Sequence, residues 1–133
     1  MPNTTNAHHA KSIPAVLNLQ GTLCLPHEAS VSVFDRSYLY GDSLYEVVRS
    51  YGGSFLKSQM KAHMDRLWQS AKLCKLQIDQ SPEELEQACI DAFHFFKKQP
   101  FATTDVYCRI ILSRGVGKIG FGLKALLSPT QYT

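Results

Sequence analysis

Polar and apolar residues alternate along much of the first third of the chain, a pattern typical of strands. Two short strands are predicted at Ala15–Leu19 and Thr22–Leu25, turning at Gln20-Gly21, and Ala29–Phe34 is a third short candidate. Ser43–Tyr51 is rich in β-branched and aromatic residues and predicts a longer strand. This part of the chain is therefore expected to form mostly strands.

Turn residues separate these segments. Asp35–Asp42 predicts a turn or loop that carries two tyrosines, with Asp35 and Asp42 as turn-capping residues. Gly52-Gly53 predicts a tight hairpin, because primed turns require positive φ at both central positions. Ser54–Leu56 is then expected to be the returning strand.

The apolar period lengthens to 3.6 residues from Gln59 to about Lys75, which predicts a helix. Its apolar stripe consists of Met60, Met64, Leu67, Trp68, Ala71 and Cys74. A second helix begins at Ser81-Pro82-Glu83-Glu84, with an N-cap serine, a proline at the first helical position and a glutamate three residues after the cap. Pro100 ends it. Its predicted buried face consists of Leu85, Ala88, Cys89, Ala92 and Phe96.

A last strand is predicted over Asp105–Arg114, before a glycine-rich loop that contains Gly115, Gly117, Gly120 and Gly122. Ser128–Thr133 resembles the start of another strand. Strands, two helices and a strand in this order predict an α+β domain over residues 14–133, with a mostly antiparallel sheet. Residues 1–13 are polar and irregular and are expected to form a flexible N-terminal tail.

Composition narrows the class of protein. Apolar residues make up 44% of the chain, which suits a globular core. The net charge of +3 comes from scattered residues, so no nucleic-acid surface is indicated. No apolar run approaches the roughly 20 residues of a membrane span, and no secretory pattern opens the chain, so a cytoplasmic location is expected. Four cysteines without metal-site spacing are expected to be buried free thiols: Cys24, Cys74, Cys89 and Cys108.

Alternation assigns the residues of the two long strands to opposite faces. One face of each strand is expected to lie on the core: Val106, Cys108, Ile110 and Leu112, and Leu44, Glu46, Val48 and Ser50. The other face carries Tyr107, Arg109, Ile111 and Ser113, and Tyr45, Val47, Arg49 and Tyr51. Such a tyrosine- and arginine-bearing face is either a solvated surface or, since guanidinium groups match carboxylate geometry, a surface that binds anions.

The first predicted helix adds polar residues at the border of its apolar stripe. At 100° per residue, His63, Arg66 and Ser70 flank the stripe and lie away from the solvated side. Border residues of this kind reach around a core to a cleft or interface. Snorkelling of His63 and Arg66 is the structural alternative.

Three ordered segments resemble the class IV aminotransferases, the fold type IV pyridoxal-phosphate enzymes. These are Val31-Ser-Val-Phe-Asp-Arg-Ser-Tyr-Leu-Tyr-Gly-Asp-Ser-Leu-Tyr-Glu-Val-Val-Arg49, His63-Met-Asp-Arg-Leu-Trp-Gln-Ser-Ala71, and Tyr107-Cys-Arg109 running into Ser113-Arg-Gly. The resemblance extends from about Val16 to Gly120 and implies the N-terminal domain of that architecture. Ser43 is a departure, because relatives often carry glycine there.

The resemblance also implies roles for single residues. Arg66 matches the arginine that contacts the phosphate of pyridoxal 5′-phosphate. Tyr45 matches an aromatic residue of the substrate pocket, with Val47 and Arg49 on the same strand face. Three further positions match substrate-binding residues of the branched-chain members: Tyr40, Tyr107 and Arg109.

The family's Schiff-base lysine, and the glutamate that pairs with the pyridine nitrogen, are expected beyond Thr133. Eight lysines of this chain do not match the lysine's context: Lys57, Lys61, Lys72, Lys75, Lys97, Lys98, Lys118 and Lys124. The resemblance therefore implies an N-terminal fragment, inactive alone and not retaining the cofactor, of a homodimeric enzyme that transfers an amino group between an amino acid and a 2-oxo acid. Two alternatives remain open: an aminodeoxychorismate lyase of the same family, and a non-catalytic binding or dimerisation module.

Overall fold

The computed structural model describes residues 13–117 and residue 119. Within them, five strands and three helices alternate in an α+β arrangement with antiparallel pairing throughout. The strands are β1 (Leu17–Leu19), β2 (Thr22–Cys24), β3 (Ser43–Tyr51), β4 (Ser54–Phe55) and β5 (Tyr107–Ser113). The helices are α1 (Arg36–Tyr40), α2 (Lys57–Leu73) and α3 (Pro82–Lys97). The predicted fold class is confirmed.

The central sheet has the order β4-β3-β5, and β1 and β2 form a separate hairpin. β3 and β5 pair over seven positions, from Ser43 opposite Ser113 to Arg49 opposite Tyr107. One side of this ladder packs on α2 and α3. The core cluster there consists of Val48, Met60, Met64, Leu67, Cys89 and Ile110. The other side of the ladder carries the site described below.

The turn between β3 and β4 has the predicted hairpin conformation. Gly52 and Gly53 both have positive φ, at 59° and 81°. The carboxylate of Asp105 accepts hydrogen bonds from the Gly53 N–H at 2.9 Å and from the Ser50 hydroxyl at 3.2 Å. Asp105 thereby ties the hairpin to the segment that leads into β5.

The two long helices are as predicted, with shifted bounds. α2 begins and ends two residues earlier than the sequence pattern indicated. α3 has the predicted capping box, in which Ser81 and Glu84 exchange hydrogen bonds. Phe93 is buried in α3 although the sequence pattern did not place it in the stripe. Cys74 was expected to be buried but is exposed, because it lies at the C-cap where α2 has turned away from the core.

Two predictions for residues 29–42 were wrong. Ala29–Phe34 forms no strand, and Val31, Val33 and Phe34 are exposed without a neighbouring strand to pair with among the described residues. Asp35–Asp42 is not a simple loop, because it contains α1. Gly41, with φ of 67°, closes this helix in the left-handed conformation.

Some predictions fall outside the described residues. These are all but the last residue of the tail at 1–13, the strand start at Ser128–Thr133, and the loop glycines Gly120 and Gly122. Among the helices of residues 13–117, none is long and apolar enough to cross a bilayer.

Candidate functional site

The outer face of the β3–β5 ladder collects the tyrosines and arginines that the sequence placed together. Alternation puts Ser43 and Ser113 at one end of this face and the Arg49–Tyr107 pair at the other. We call it the Tyr/Arg face, defined by Tyr45, Val47, Arg49, Tyr51, Tyr107, Arg109 and Ile111. Its aromatic and aliphatic side chains are open to solvent: Tyr45 is 66% exposed, Tyr107 72% and Ile111 60%.

Each arginine of the Tyr/Arg face lies over a tyrosine ring. The Arg109 Cζ is 5.3 Å from the centroid of the Tyr45 ring. The Arg49 Cζ is 5.3 Å from the centroid of Tyr51 and 5.2 Å from that of Tyr107. Among residues 13–117, neither guanidinium forms a salt bridge or hydrogen bond with a carboxylate. Cation–π contacts restrict both side chains while their N–H donors remain available.

The inner face of β3 carries a buried carboxylate with two basic partners on α2. Glu46, 7% exposed, accepts hydrogen bonds from Arg66 Nε at 2.5 Å and from Arg66 Nη2 at 2.6 Å. His63 Nδ1 lies 2.7 Å from the Glu46 Oε2 and 3.1 Å from the Arg66 Nη2. We call these three residues the Glu46 cluster. The two-pronged contact fixes the plane of the Arg66 guanidinium.

The Glu46 cluster is electrostatically matched. The hydrogen bonds from Arg66 lower the pKa of Glu46 to about 2, against the opposing effect of burial, and His63 adds to the lowering. The same contact raises the pKa of Arg66 above its ordinary value. Glu46 is thus an anion over the physiological pH range, and the positive charge of Arg66 is held in place.

The structure brings five of the predicted site residues together on one face: Tyr45, Val47, Arg49, Tyr107 and Arg109. Arg66 is not among them, because its contacts are with Glu46, which points to the opposite face of β3. Its side chain is nevertheless 63% exposed at the outer side of α2. Arg66 therefore borders the core, as the helical periodicity indicated, and is not placed in contact with the Tyr/Arg face.

Tyr40, the remaining predicted pocket residue, lies at the end of α1. It is half-buried and three residues before β3 begins. This puts it beyond the Ser43–Ser113 end of the Tyr/Arg face.

Several functional candidates were missed from the sequence. Glu46 was assigned to the core side of β3, and a carboxylate on a core face requires a buried cation; this signal pointed to Arg66 and was not used. Asp35, Asp42 and Arg114 were also given no tertiary partners, because their contacts span more than 70 residues of sequence. Among residues 13–117 and 119, no group of His, Cys, Asp or Glu side chains is placed to hold a metal ion.

Comparison with known proteins gives the family. The sequence model of Amino-transferase class IV matches residues 43–133. A putative branched-chain-amino-acid aminotransferase of Methanocaldococcus jannaschii is 33% identical over 86% of this chain and 37% of its own length. A D-alanine aminotransferase of Listeria monocytogenes is 45% identical over 45% of this chain and 20% of its own length.

The fold agrees with this family. The branched-chain amino acid aminotransferase from Escherichia coli superposes with a TM-score of 0.68 at 27% identity, over 80% of this chain and 35% of that one. A further branched-chain amino acid aminotransferase, complexed with N-(5′-phosphopyridoxyl)-L-glutamate, superposes with a TM-score of 0.67 at 25% identity over the same shares. The chain thus spans about a third or less of the length of these relatives.

The matched residues include the parts of the chain that form the site. They contain β3, all of the Glu46 cluster and all of the Tyr/Arg face. The family model covers well over half of the chain, and the chain belongs to the class IV aminotransferase family.

Proposed function

We propose that this chain forms the N-terminal domain of a pyridoxal-phosphate-dependent aminotransferase, which transfers an amino group between an amino acid and a 2-oxo acid. The observation that carries the proposal is the Tyr/Arg face. It presents Arg49 and Arg109 without a carboxylate partner among the described residues, beside exposed apolar side chains. A sheet face that only contacts water has no need to combine these features.

The Tyr/Arg face is suited to the carboxylate that every amino acid and 2-oxo acid carries. Arg109 would bind this carboxylate, because a guanidinium matches two carboxylate oxygens and its stacking on Tyr45 reduces the freedom lost on binding. The aromatic ring of Tyr45 would line the space for the substrate side chain, with Val47 and Tyr107 beside it. The relatives are named for branched-chain amino acids and for D-alanine, so the proposal is confined to amino acids as a class.

The Glu46 cluster fits a contact with the cofactor's phosphate. Glu46 occupies Arg66 Nε and Nη2, which leaves Nη1 without a partner among residues 13–117. Because the side chain is also largely exposed, one face of a fixed cation is presented outward. Phosphate is a preferred ligand of such an arginine. Bound pyridoxal phosphate supplies the electron sink for amino-group transfer, and this chain would hold and orient it.

The remaining parts of the site would come from outside this segment. The proposal places the cofactor-binding lysine after Thr133, in a second domain, which agrees with the chain's share of its relatives' length. It also includes a homodimer. Exposed apolar side chains at Val31, Val33 and Phe34 provide surface that either the second domain or a second subunit can bury. The relatives above are named aminotransferases and do not favour the lyase.

The test uses the full-length protein. We expect it to transfer amino groups and to retain pyridoxal phosphate, measured by its absorbance after gel filtration. Arg66→Ala should lower cofactor retention at least tenfold, since a charge-assisted contact contributes about 1.5–3 kcal/mol. Lys61→Ala is the matched control, because Lys61 is an exposed cation on the same helix whose partner is Asp65.

Removing Arg66 also leaves Glu46 buried with less compensation, so a folding defect must be separated from a loss of phosphate contact. The double variant Glu46→Gln/Arg66→Ala removes that buried charge. If the double variant folds and retains the cofactor as wild type does, Arg66 has no phosphate role. If the full-length protein neither binds the cofactor nor transfers amino groups, the proposed function is wrong.

A further inference from the structure

Helix α1 has only five residues, Arg36–Tyr40, which is too short to be stable by itself. Its position must therefore be set by contacts outside the helix. Those contacts come mainly from the residues where β5 ends, which belong to the third motif of the sequence and have no role in the proposed substrate or cofactor contacts.

The N-terminal end of α1 is fastened to the Tyr/Arg face. The Asp35 Oδ1 accepts hydrogen bonds from the Ser37 N–H at 2.8 Å, the Ser37 hydroxyl at 2.6 Å and the Ser113 hydroxyl. The Ser113 hydroxyl in turn accepts a hydrogen bond from the Gly115 N–H at 3.0 Å. Because Ser113 follows Arg109 and Ile111 on the same face of β5, Asp35 reaches onto the end of that face.

Backbone contacts reinforce this end. Asp35 forms an isolated antiparallel bridge with Val116, and the Arg36 N–H donates to the Gly115 carbonyl at 3.0 Å. The Arg36 side chain is 1% exposed and lies against Gly117, where an added Cβ would be 2.6 Å from the guanidinium carbon. The segment after β5 is thus closely packed along the start of α1.

The C-terminal end of α1 is fastened by the next residue of the chain after β5, Arg114. Its Nε donates to the Asp42 carboxylate at 2.6 Å, and its backbone N–H donates to the Asp42 carbonyl at 3.3 Å. Its terminal nitrogens donate to the carbonyls of Cys74 and Lys75 at 2.9 Å each. Arg114 therefore joins the end of α1, β5 and the C-terminal end of α2.

We infer that Asp35 with Ser113, and Asp42 with Arg114, are positioning residues that hold α1 as the end wall of the Tyr/Arg face and so set the place of Tyr40 against the substrate. This rests on the proposed function for the substrate contact, but not for the position of α1. No part of the inference requires these four residues to touch the substrate.

Structural observations explain why positioning is needed. Tyr38 and Leu39 are exposed, so the outer side of α1 gains nothing from packing within the described residues. Tyr40 is a large side chain at the last helical position, and a small rotation of α1 would displace its ring. Two fastenings, one at each end, prevent both translation and rotation of so short an element.

The experiment is made on the full-length protein with two measurements. Hydrogen exchange of the amides of residues 37–41 reports the position of α1. KM and kcat for the amino acid substrate report its consequence. Ser113→Ala should raise the exchange rate of these amides about tenfold, which corresponds to about 1.4 kcal/mol, the strength of one such hydrogen bond. It should raise KM severalfold and change kcat less than twofold.

Ser113→Thr keeps the hydroxyl and should restore both readings towards wild type. Asp42→Ala should give the same pattern as Ser113→Ala from the other end of the helix. Ser54→Ala, an exposed serine of β4, is the matched control and should change neither reading.

The results separate the two proposals. Unchanged exchange of residues 37–41 in both Ser113→Ala and Asp42→Ala would overturn the positioning inference, whether or not the enzyme is active. Faster exchange with unchanged KM would also overturn it, because the fastenings would then be structural only. A full-length protein without aminotransferase activity would contradict the proposed function, and exchange would still test the position of α1.

Discussion

The two faces of strand β3 carry charge in opposite ways. On the inner face, Glu46 is buried and fully engaged by Arg66 and His63. On the outer face, Arg49 and Arg109 are exposed and lie over tyrosine rings without carboxylate partners among the described residues. The two faces differ although they alternate residue by residue along one strand.

This difference separates what folds the domain from what the domain offers to other molecules. A buried charge without a partner is costly, so the inner face had to satisfy Glu46 within the chain. An exposed cation carries no such cost, so the outer face can keep its donors for a ligand. The predictions below test that division, beginning with the largest effect on stability.

The sharpest contrast is between two neighbouring isoleucines of β5. Ile110 is 6% exposed in the core, whereas Ile111 is exposed on the Tyr/Arg face. Ile110→Ala should lower the free energy of unfolding by about 2–5 kcal/mol, because it leaves a cavity. Ile111→Ala should change it by less than about 0.5 kcal/mol. Urea unfolding of both variants measures this, and equal losses would mean that the two faces are not distinct.

A smaller effect is expected at the charged positions. Glu46→Ala should cost about 1.5–3 kcal/mol of unfolding free energy, towards the lower value because Arg66 is largely exposed. Arg109→Ala should cost less than about 0.5 kcal/mol. Thermal or urea unfolding compares the two. A larger loss in Arg109→Ala than in Glu46→Ala would reverse the assignment of the two faces.

The pH dependence of stability should carry the mark of the inner face. Folding lowers the pKa of Glu46 from 4.5 to about 2, so the unfolded chain binds this proton more tightly. The contribution is therefore complete above pH 4.5 and is lost as the pH falls through about 2. Unfolding midpoints of wild type and Glu46→Gln should converge over this window. A constant difference between them would contradict the shift.

The smallest expected effect is the coupling between Tyr45 and Arg109. A double-mutant cycle of Tyr45→Phe, Tyr45→Ala and Arg109→Ala should give about 0.5–1 kcal/mol between ring and cation, with phenylalanine retaining most of it. The measurement is unfolding free energy at low and high salt. No coupling at low salt would remove the argument that Tyr45 pre-orients the arginine.

Sequence reasoning was most successful where chemistry is local. The faces of β3 and β5 follow from alternation, the hairpin from Gly52-Gly53, and the start of α3 from its capping box. It failed at Ala29–Phe34, because β-branched residues indicate a strand only if another strand pairs with them. It also missed α1, since five residues have no helical period of their own and this helix is held by residues 113–116.

The candidate site shows the same limit. The composition of the Tyr/Arg face was readable, because each residue is fixed by its place along a strand. The placement of Arg66 on Glu46 was not, since that contact depends on how α2 lies across the sheet. Helical periodicity gave Arg66 a border position but no partner.

The most direct test of the division of roles is one crossed measurement on the full-length protein. Cofactor retention and the KM for the amino acid are compared in Arg66→Ala and Arg109→Ala. We expect Arg66→Ala to lose pyridoxal phosphate, and Arg109→Ala to retain it while its KM rises about tenfold or more, the loss of one charge-assisted contact. If Arg109→Ala loses the cofactor and Arg66→Ala keeps it, or if both variants behave as wild type does, the account given for the two faces of β3 is contradicted.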